Sequence, residues 1–173
     1  MLRNLELKAS LPSIESARAA ARRCGAEFRG ILLQEDTYFN VPHGRLKLRE
    51  FAGGGAELIF YERAEHSLER WSSYSTVVVP EPAPLKQQLS SALGVRVVVK
   101  KKRELFLFEG TRIHLDTVEG LGTFLEFEVP VWDETDAARK MKYLREHFAV
   151  ADGSIFTPSY SDLILTKTEG LGA

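Results

Sequence analysis

The sequence predicts an α+β chain built on a closed eight-stranded antiparallel β-barrel, a tunnel with a polar, charged lumen and helices packed outside. Three observations predict it. First, about eight short segments alternate polar and apolar residues with a period of two, and hairpin-type turns join most of them. Second, four of these segments put charged groups on one face and large aliphatics on the other. Third, several amphipathic helices need an apolar surface, and those aliphatics are the most economical one for them to cover. The charged faces then look at each other, which a closed sheet around a wet, ligand-sized lumen permits.

Bulk properties set the frame. The 173 residues, 44% hydrophobic and 27% charged, suit one domain over 1–173 with its own core. The net charge of −1 gives no global basic field for nucleic acid or a membrane, so any anion selectivity must be local. Cys24 is the one cysteine, which excludes an internal disulfide and a cysteine zinc site; it reads as a packing residue. The opening MLRNLELKAS turns polar within a few residues and no long apolar run follows. Neither a leader peptide nor a membrane span is expected, and a cytoplasmic location is.

Taken in order, residues 2–10 read as a strand with Leu5 and Leu7 on one face and Asn4, Glu6 and Lys8 on the other. Ser13 caps a first helix and Gly25 stops it; Ile14, Ala17, Ala21 and Cys24 form its apolar stripe, while Arg18, Arg22 and Arg23 form its solvated side. Phe28 to Asn40 is a strand with Gln34, Asp36 and Tyr38 on one face. The turn Val41-Pro42-His43-Gly44 leads to Arg45–Phe51, where Arg45, Lys47 and Arg49 oppose Leu46 and Leu48. The Gly53-Gly54-Gly55 run is a hairpin loop, since it lacks the Lys-Ser/Thr of a P-loop and the helix that follows one.

Glu57–Arg63 and Ser72–Val79 are strands around a polar loop, Ala64 to Glu69. Pro80, Pro82 and Pro84 mark an extended connection to a short helix, Leu85–Leu93, that ends at Gly94. Val95–Phe108 is a long strand whose Lys101 and Arg103 point one way and Lys100 and Lys102 the other. Asp133 or Thr135 caps a helix reaching about Phe148, with Ala137, Met141, Leu144 and Phe148 as its stripe. Pro158 and Ser159 start a last helical segment, Tyr160–Thr168, before a loose 170–173 tail.

The richest stretch is the hairpin Thr111–Val129, which turns at Glu119-Gly120-Leu121-Gly122. Arg112, His114, Asp116, Glu126 and Glu128 share one face, and Ile113, Leu115, Leu125, Phe127 and Val129 take the other. Alone, this is also how an ordinary half-solvated sheet looks. Repeated around a closed sheet, it is not. The candidate lumen then holds seven cations, Lys8, Arg45, Lys47, Arg49, Lys101, Arg103 and Arg112, against four acids, Glu6, Asp116, Glu126 and Glu128. Clustered carboxylates repel unless a cation neutralises them, and mutual burial of like charges is costly. A polyphosphate carrying a divalent metal satisfies both signs, because hard ions take carboxylate and phosphate oxygens together and Arg forks grip phosphate.

In order and combination these residues resemble the CYTH superfamily, the triphosphate tunnel metalloenzymes, which include class IV adenylyl cyclases and thiamine triphosphatases. The resemblance spans almost the whole chain. It rests on Asn4-Leu5-Glu6-Leu7-Lys8 at the family's Glu-x-Glu-x-Lys signature, Gln34-x-Asp36-x-Tyr38-Phe39, Arg45-Leu46-Lys47-Leu48-Arg49 and Lys101-x-Arg103. Arg112-x-His114-x-Asp116, Gly120-Leu121-Gly122, Glu126-x-Glu128 and Ser159-Tyr160-x-Asp162-Leu163 complete it. The resemblance implies a tunnel that binds a small-molecule triphosphate with Mg²⁺ or Mn²⁺.

Carried over by position, Glu6, Asp116, Glu126 and Glu128 are metal ligands or orient metal-bound water. Lys8, Arg45, Lys47, Arg49, Lys101, Arg103 and Arg112 bind phosphate, with Lys8, Arg49, Lys101 and Arg103 catalytic through charge stabilisation. His114 is expected to be a hydrogen-bonding lumen group or a ligand-orienting one rather than a general base. Asn4 stands where the signature has its first Glu, and Tyr61 where many members carry a tunnel Lys. Hydrolysis of a triphosphate is expected, with an adenylyl cyclase and a non-catalytic polyphosphate- or nucleotide-binding barrel as alternatives. No nucleic-acid or membrane partner is expected, and a homodimer is left open.

Overall fold

The structure, a computed structural model, describes residues 2–63 and 70–170. The 64–69 loop and the last three residues of the expected tail lie outside the described residues. Eight strands form a closed barrel: β1 (Leu2–Ser10), β2 (Glu27–Phe39), β3 (Arg45–Phe51), β4 (Ala56–Arg63), β5 (Arg70–Val78), β6 (Val95–Phe108), β7 (Thr111–Val118) and β8 (Gly122–Pro130). Their order around the barrel is β1-β5-β4-β3-β2-β6-β7-β8, and every pairing is antiparallel. The first strand closes the sheet by seating itself between β5 and β8. The expected α+β barrel is the architecture found.

Local chemistry explains the joins. In the β7–β8 turn Gly120 and Gly122 take φ of 74° and 113°, a region glycine enters without a Cβ clash. The long β2 strand slips register between Phe28 and Gly30, with Gly30 at φ 128°, the kind of bulge that bends a strand around a barrel.

Four α-helices lie outside the sheet or over its end: α1 (Ile14–Arg23), α2 (Pro82–Leu93), α3 (Glu134–His147) and α4 (Tyr160–Gly170). Ser13 and Asp133 cap α1 and α3, each accepting from the backbone N–H three residues on. The apolar stripes of α1 and α3 cover the outward faces of β1, β7 and β8, where Leu5, Leu7, Ile113, Leu115, Leu125 and Phe127 meet Ala17, Ala21, Ala137, Met141 and Leu144. Leu7, Ile113, Leu115, Phe127, Met141 and Leu144 are fully buried there, each worth about 1.5–3 kcal/mol of transfer free energy. On the far side Leu85, Leu89 and Leu93 of α2 cover Leu46, Leu48 and Leu58.

Two local expectations are corrected. The prolines do not hold an extended connection up to Leu85: α2 begins at Pro82, and Pro82 and Pro84 occupy its first turn, where a missing N–H deprives the helix of no bond. Arg18 is not simply solvated. Its Nε and Nη2 donate to Glu104 of β6 at 2.9 and 2.8 Å, because α1 crosses the outward face on which Glu104 stands.

The last helix does something different. Val99, Val118 and Phe124 lie two residues from Lys101, Asp116 and Glu126 on the same inward face of their strands. They pack with Tyr160, Leu163 and Ile164 of α4 and with Tyr38, Ile59 and Tyr61. So α4 plugs one end of the barrel with apolar side chains. Ser159 starts it reciprocally: its Oγ accepts from the Asp162 N–H at 3.2 Å while its own N–H donates to Asp162 Oδ2 at 2.9 Å.

Candidate functional site

The barrel encloses a cavity of about 440 Å³. Its wall includes Glu6, Lys8, Lys47, Arg49, Lys101, Arg103, Arg112, His114, Glu126 and Glu128. Strand alternation puts them there, for each sits between two outward aliphatics or polar groups on its own strand. Of the sequence-expected site residues, Arg45 and Asp116 are not in that wall. Arg45 reaches the plugged end, where its Nη1 donates to Asp162 at 2.8 Å and to the Ser159 hydroxyl. Asp116 lies behind the wall, fully buried, and accepts from Arg103 Nε and Nη2 at 2.7 and 2.6 Å and from the Tyr160 hydroxyl at 2.9 Å.

One half of the wall, on β2, β3 and β6, is cationic. It is built around Asp36, a residue to which the sequence reading gave no role. The fully buried Asp36 carboxylate accepts from Arg49 Nε at 2.7 Å and Nη2 at 2.8 Å, from Lys47 Nζ at 2.9 Å and from Lys101 Nζ at 3.1 Å. Register brings this about: Asp36 lies directly opposite Arg49 across β2–β3, and Lys101 opposite Gln34 across β2–β6. Burial alone would raise the Asp36 pKa; the charges of Arg49, Lys101 and Lys47 outweigh it and hold the carboxyl well below its usual range. The same burial pushes Lys101 well below the usual lysine range, with Asp36 opposing and Arg49 and Arg103 adding to the push. Three cations sharing one carboxylate leave this half with a positive excess that an anion would neutralise. The alternation Gln34, Asp36, Tyr38 was the signal for Asp36; its role was hidden because the cations it gathers come from other strands.

The other half, on β1, β7 and β8, gathers carboxylates. Glu6 faces Glu128 directly across β1–β8, a like-charge pairing that is destabilising by itself. Glu126 is flanked by Lys8 on β1 and His114 on β7. Lys8 Nζ lies 3.1 Å from Glu126 Oε1, and Arg103 Nη2 donates to Glu126 Oε2 at 2.7 Å. Arg112 Nε donates to Glu128 Oε2 at 2.8 Å. Glu6 accepts from the Ser72 hydroxyl. Burial would raise the pKa of Glu128, but His114 and Arg112 bring it down to about 2, and Lys8 and the His114 hydrogen bond hold Glu126 well below its range. Burial lowers the His114 pKa, with Arg103 adding to the effect and Glu128 and Glu126 opposing it.

One ring nitrogen of His114, one Glu126 oxygen and one Glu128 oxygen all lie within 4.8 Å of one another. Ligand atoms bound at about 2.0–2.3 Å to one ion stand at most about 4.6 Å apart, so a small inward adjustment lets these three share a divalent cation. The donor set fits the metal that the resemblance implies.

Asn4 and Tyr160 complete the picture. In the orientation that satisfies its hydrogen bonds, the Asn4 amide oxygen accepts from Arg112 at 3.2 Å and its nitrogen donates to the Arg3 carbonyl at 3.2 Å. The Tyr160 ring lies 4.0 Å from Lys8 Nζ and 5.6 Å from Lys101 Nζ, so one plug residue touches both halves of the wall. Facing the charged strands, β4 and β5 contribute Glu57, Ile59, Tyr61, Ser72, Tyr74 and Thr76 to the wall.

Comparison with known proteins agrees with this geometry. The model of the CYTH domain family matches residues 2–159. A sequence search of curated proteins matches none. Among solved structures, the PH1012 protein of Pyrococcus horikoshii OT3 superposes with a TM-score of 0.85 at 23% identity, covering 92% of this chain and 98% of that one. The PH1819 protein of the same organism gives 0.74 at 26% identity over 95% and 99%. A putative adenylate cyclase from Vibrio parahaemolyticus gives 0.77 at 21% over 93% and 97%.

Proposed function

The chain belongs to the CYTH domain family, and on that premise we propose that it is a divalent-metal-dependent phosphoryl-transfer enzyme acting on a triphosphate, with hydrolysis as its reaction. The family is metal-dependent, and its members are typically triphosphatases or adenylyl cyclases. One observation carries the reading: the cavity joins a cation-rich half around Asp36 to a carboxylate half around Glu126, and a metal–triphosphate complex presents both complementary signs.

In this reading Glu6, Glu126 and Glu128 hold the ion on the β1–β8 side. A bound Mg²⁺ or Mn²⁺ supplies Lewis-acid polarisation of a phosphoryl oxygen. Lys47, Arg49 and Lys101 bind the phosphate chain on the opposite side. Lys8 and Arg103 stand between the halves and stabilise charge that develops as the P–O bond breaks. Asp116 and Tyr160 fix the Arg103 fork, so Asp116 acts through Arg103. Water attacks the terminal phosphorus and the bond to the bridging oxygen breaks, releasing orthophosphate.

The cyclase reading has one observation in its favour. Ile59, Tyr61 and Tyr74 of the β4–β5 wall offer an organic group an apolar and aromatic place that inorganic triphosphate would not use. In that reaction a ribose 3′-hydroxyl attacks the α-phosphorus and pyrophosphate leaves. The deciding experiment offers ATP, GTP, thiamine triphosphate and inorganic triphosphate separately with Mg²⁺ or Mn²⁺. Orthophosphate release supports the hydrolase, and cyclic nucleotide with pyrophosphate replaces it by the cyclase. No product from any of them leaves a binding barrel.

A further inference from the structure

We propose that His114 Nδ1 is a nitrogen ligand of the divalent ion and biases this site toward Mn²⁺ over Mg²⁺. The inference rests on the metal-dependent reading above and goes beyond it in assigning the ligand and the selectivity.

Four observations carry it. The ring atom that faces the carboxylates is Nδ1, at 3.4 Å from Glu126 Oε2 and 3.7 Å from Glu128 Oε1. His114 is 3% exposed and lines the cavity, so the sheet rather than solvent sets its position. It lies directly across β7–β8 from Glu126, and a paired residue cannot drift from its partner without breaking the register. Finally, the Asn4 amide, which also lines the cavity, is already engaged. The Asn4 amide brings no charge, and its oxygen is taken by Arg112. The imidazole is a neutral donor that faces the Glu126 and Glu128 carboxylates directly.

Ligand chemistry gives the direction of selectivity. Mg²⁺ demands near-ideal octahedral oxygen coordination and gives up water reluctantly. Along the first-row series an imidazole nitrogen is accepted by Mn²⁺ and more strongly by its heavier neighbours. A mixed site that adds one imidazole to its carboxylates therefore disfavours Mg²⁺ relative to an all-oxygen site.

The test needs no turnover. Mn²⁺ is titrated into the wild-type chain and binding is followed by the loss of the free aqua-ion signal in electron paramagnetic resonance. Electron spin-echo modulation of the bound ion then reports directly bonded nitrogen. The expected result is a ¹⁴N modulation that changes when the protein carries ¹⁵N-histidine and disappears in His114→Gln. In that variant the Mn²⁺/Mg²⁺ affinity ratio from calorimetry falls by about tenfold or more. Should His114→Gln fail to fold, the wild-type isotope experiment still decides. Stoichiometric Mn²⁺ binding without histidine nitrogen coupling overturns the ligand assignment and leaves the metal reading standing. No Mn²⁺ binding by the wild-type chain overturns both.

Discussion

The two halves of the lumen wall solve the same problem in opposite ways. Around Asp36, one buried carboxylate is wrapped by Arg49, Lys47 and Lys101. Around Glu126, carboxylates from β1 and β8 crowd together, and Lys8, Arg103 and Arg112 bind only part of their oxygen surface. Both halves are buried, and burial punishes unbalanced charge whichever sign it has. The two halves therefore present different chemistry to the lumen, gathered cations on one side and carboxylates with a histidine on the other. The difference also separates roles. Asp36 has no oxygen to spare, so it reads as the brace that assembles a phosphate grip. Glu126 and Glu128 converge with His114 and read as the metal side.

The largest expected effect tests the brace. Asp36→Asn leaves three buried cations without their carboxylate and is expected to cost about 3–5 kcal/mol of stability, measured by urea unfolding. Inorganic triphosphate, which supplies the lost negative charge, is expected to restore more stability to this variant than it adds to the wild type. A variant that is as stable as wild type, or that triphosphate does not stabilise further, would deny Asp36 its bracing role.

Next comes Glu126→Gln. The amide keeps the shape, and Asp116 and Glu128 still neutralise Arg103 and Arg112. We expect a smaller stability loss than for Asp36→Asn but a fall in metal-dependent turnover of at least about 100-fold. Circular dichroism checks the fold. Unchanged activity would remove Glu126 from the metal side, and equal stability losses in the two variants would erase the contrast between the halves.

How much of this was legible in the sequence follows from what alternation can and cannot encode. Period-two patterning on β1, β3, β7 and β8 gave the barrel and most of the wall, because inward and outward are decided strand by strand. Pairing between distant strands is not local. Nothing in Gln34-Glu35-Asp36 says that Lys101 will arrive from β6, so Asp36 stayed without a role. Likewise Arg45 shares a face with Lys47 and Arg49 in sequence, yet the barrel's depth carries it to the α4 plug. Asp116 alternates with His114 but is drawn to Arg103 and Tyr160. Ser72, which donates to Glu6, carried no charge to flag it. The α2 start was missed because proline suits a first helical turn as well as it suits an extended link.

A third prediction sharpens the carboxylate half by pH. The folded-state pKa of Glu128 lies near 2, below the ordinary 4.5. A depressed carboxylate contributes stability that is fully present above its unfolded value and is lost as pH falls through the folded one. The loss therefore falls between about pH 4.5 and 2. It is on the order of 1–2 kcal/mol once screening of this partly exposed group is discounted. Urea midpoints across that window should fall less steeply in Glu128→Gln than in wild type. Parallel curves would mean that Glu128 is not held by Arg112 and His114 in solution.

The smallest effect marks the boundary of the cationic half. Arg45 is paired with Asp162 at 2.8 Å, with side chains 22% and 27% exposed. A pair so placed is worth about 0.5–1 kcal/mol, since water screens it. Arg45→Ala should therefore loosen α4 slightly, seen as faster amide exchange in residues 160–168. It should change the triphosphate KM by less than about threefold, whereas Arg49→Ala, which strips a fork from the Asp36 cluster, should change it by tenfold or more. The two measurements decide where the phosphate grip ends. If Arg45→Ala raises KM as far as Arg49→Ala does, the guanidinium leaves Asp162 when substrate arrives. The grip would then run the length of β3, and α4 would be a plug that substrate binding loosens rather than a fixed end wall.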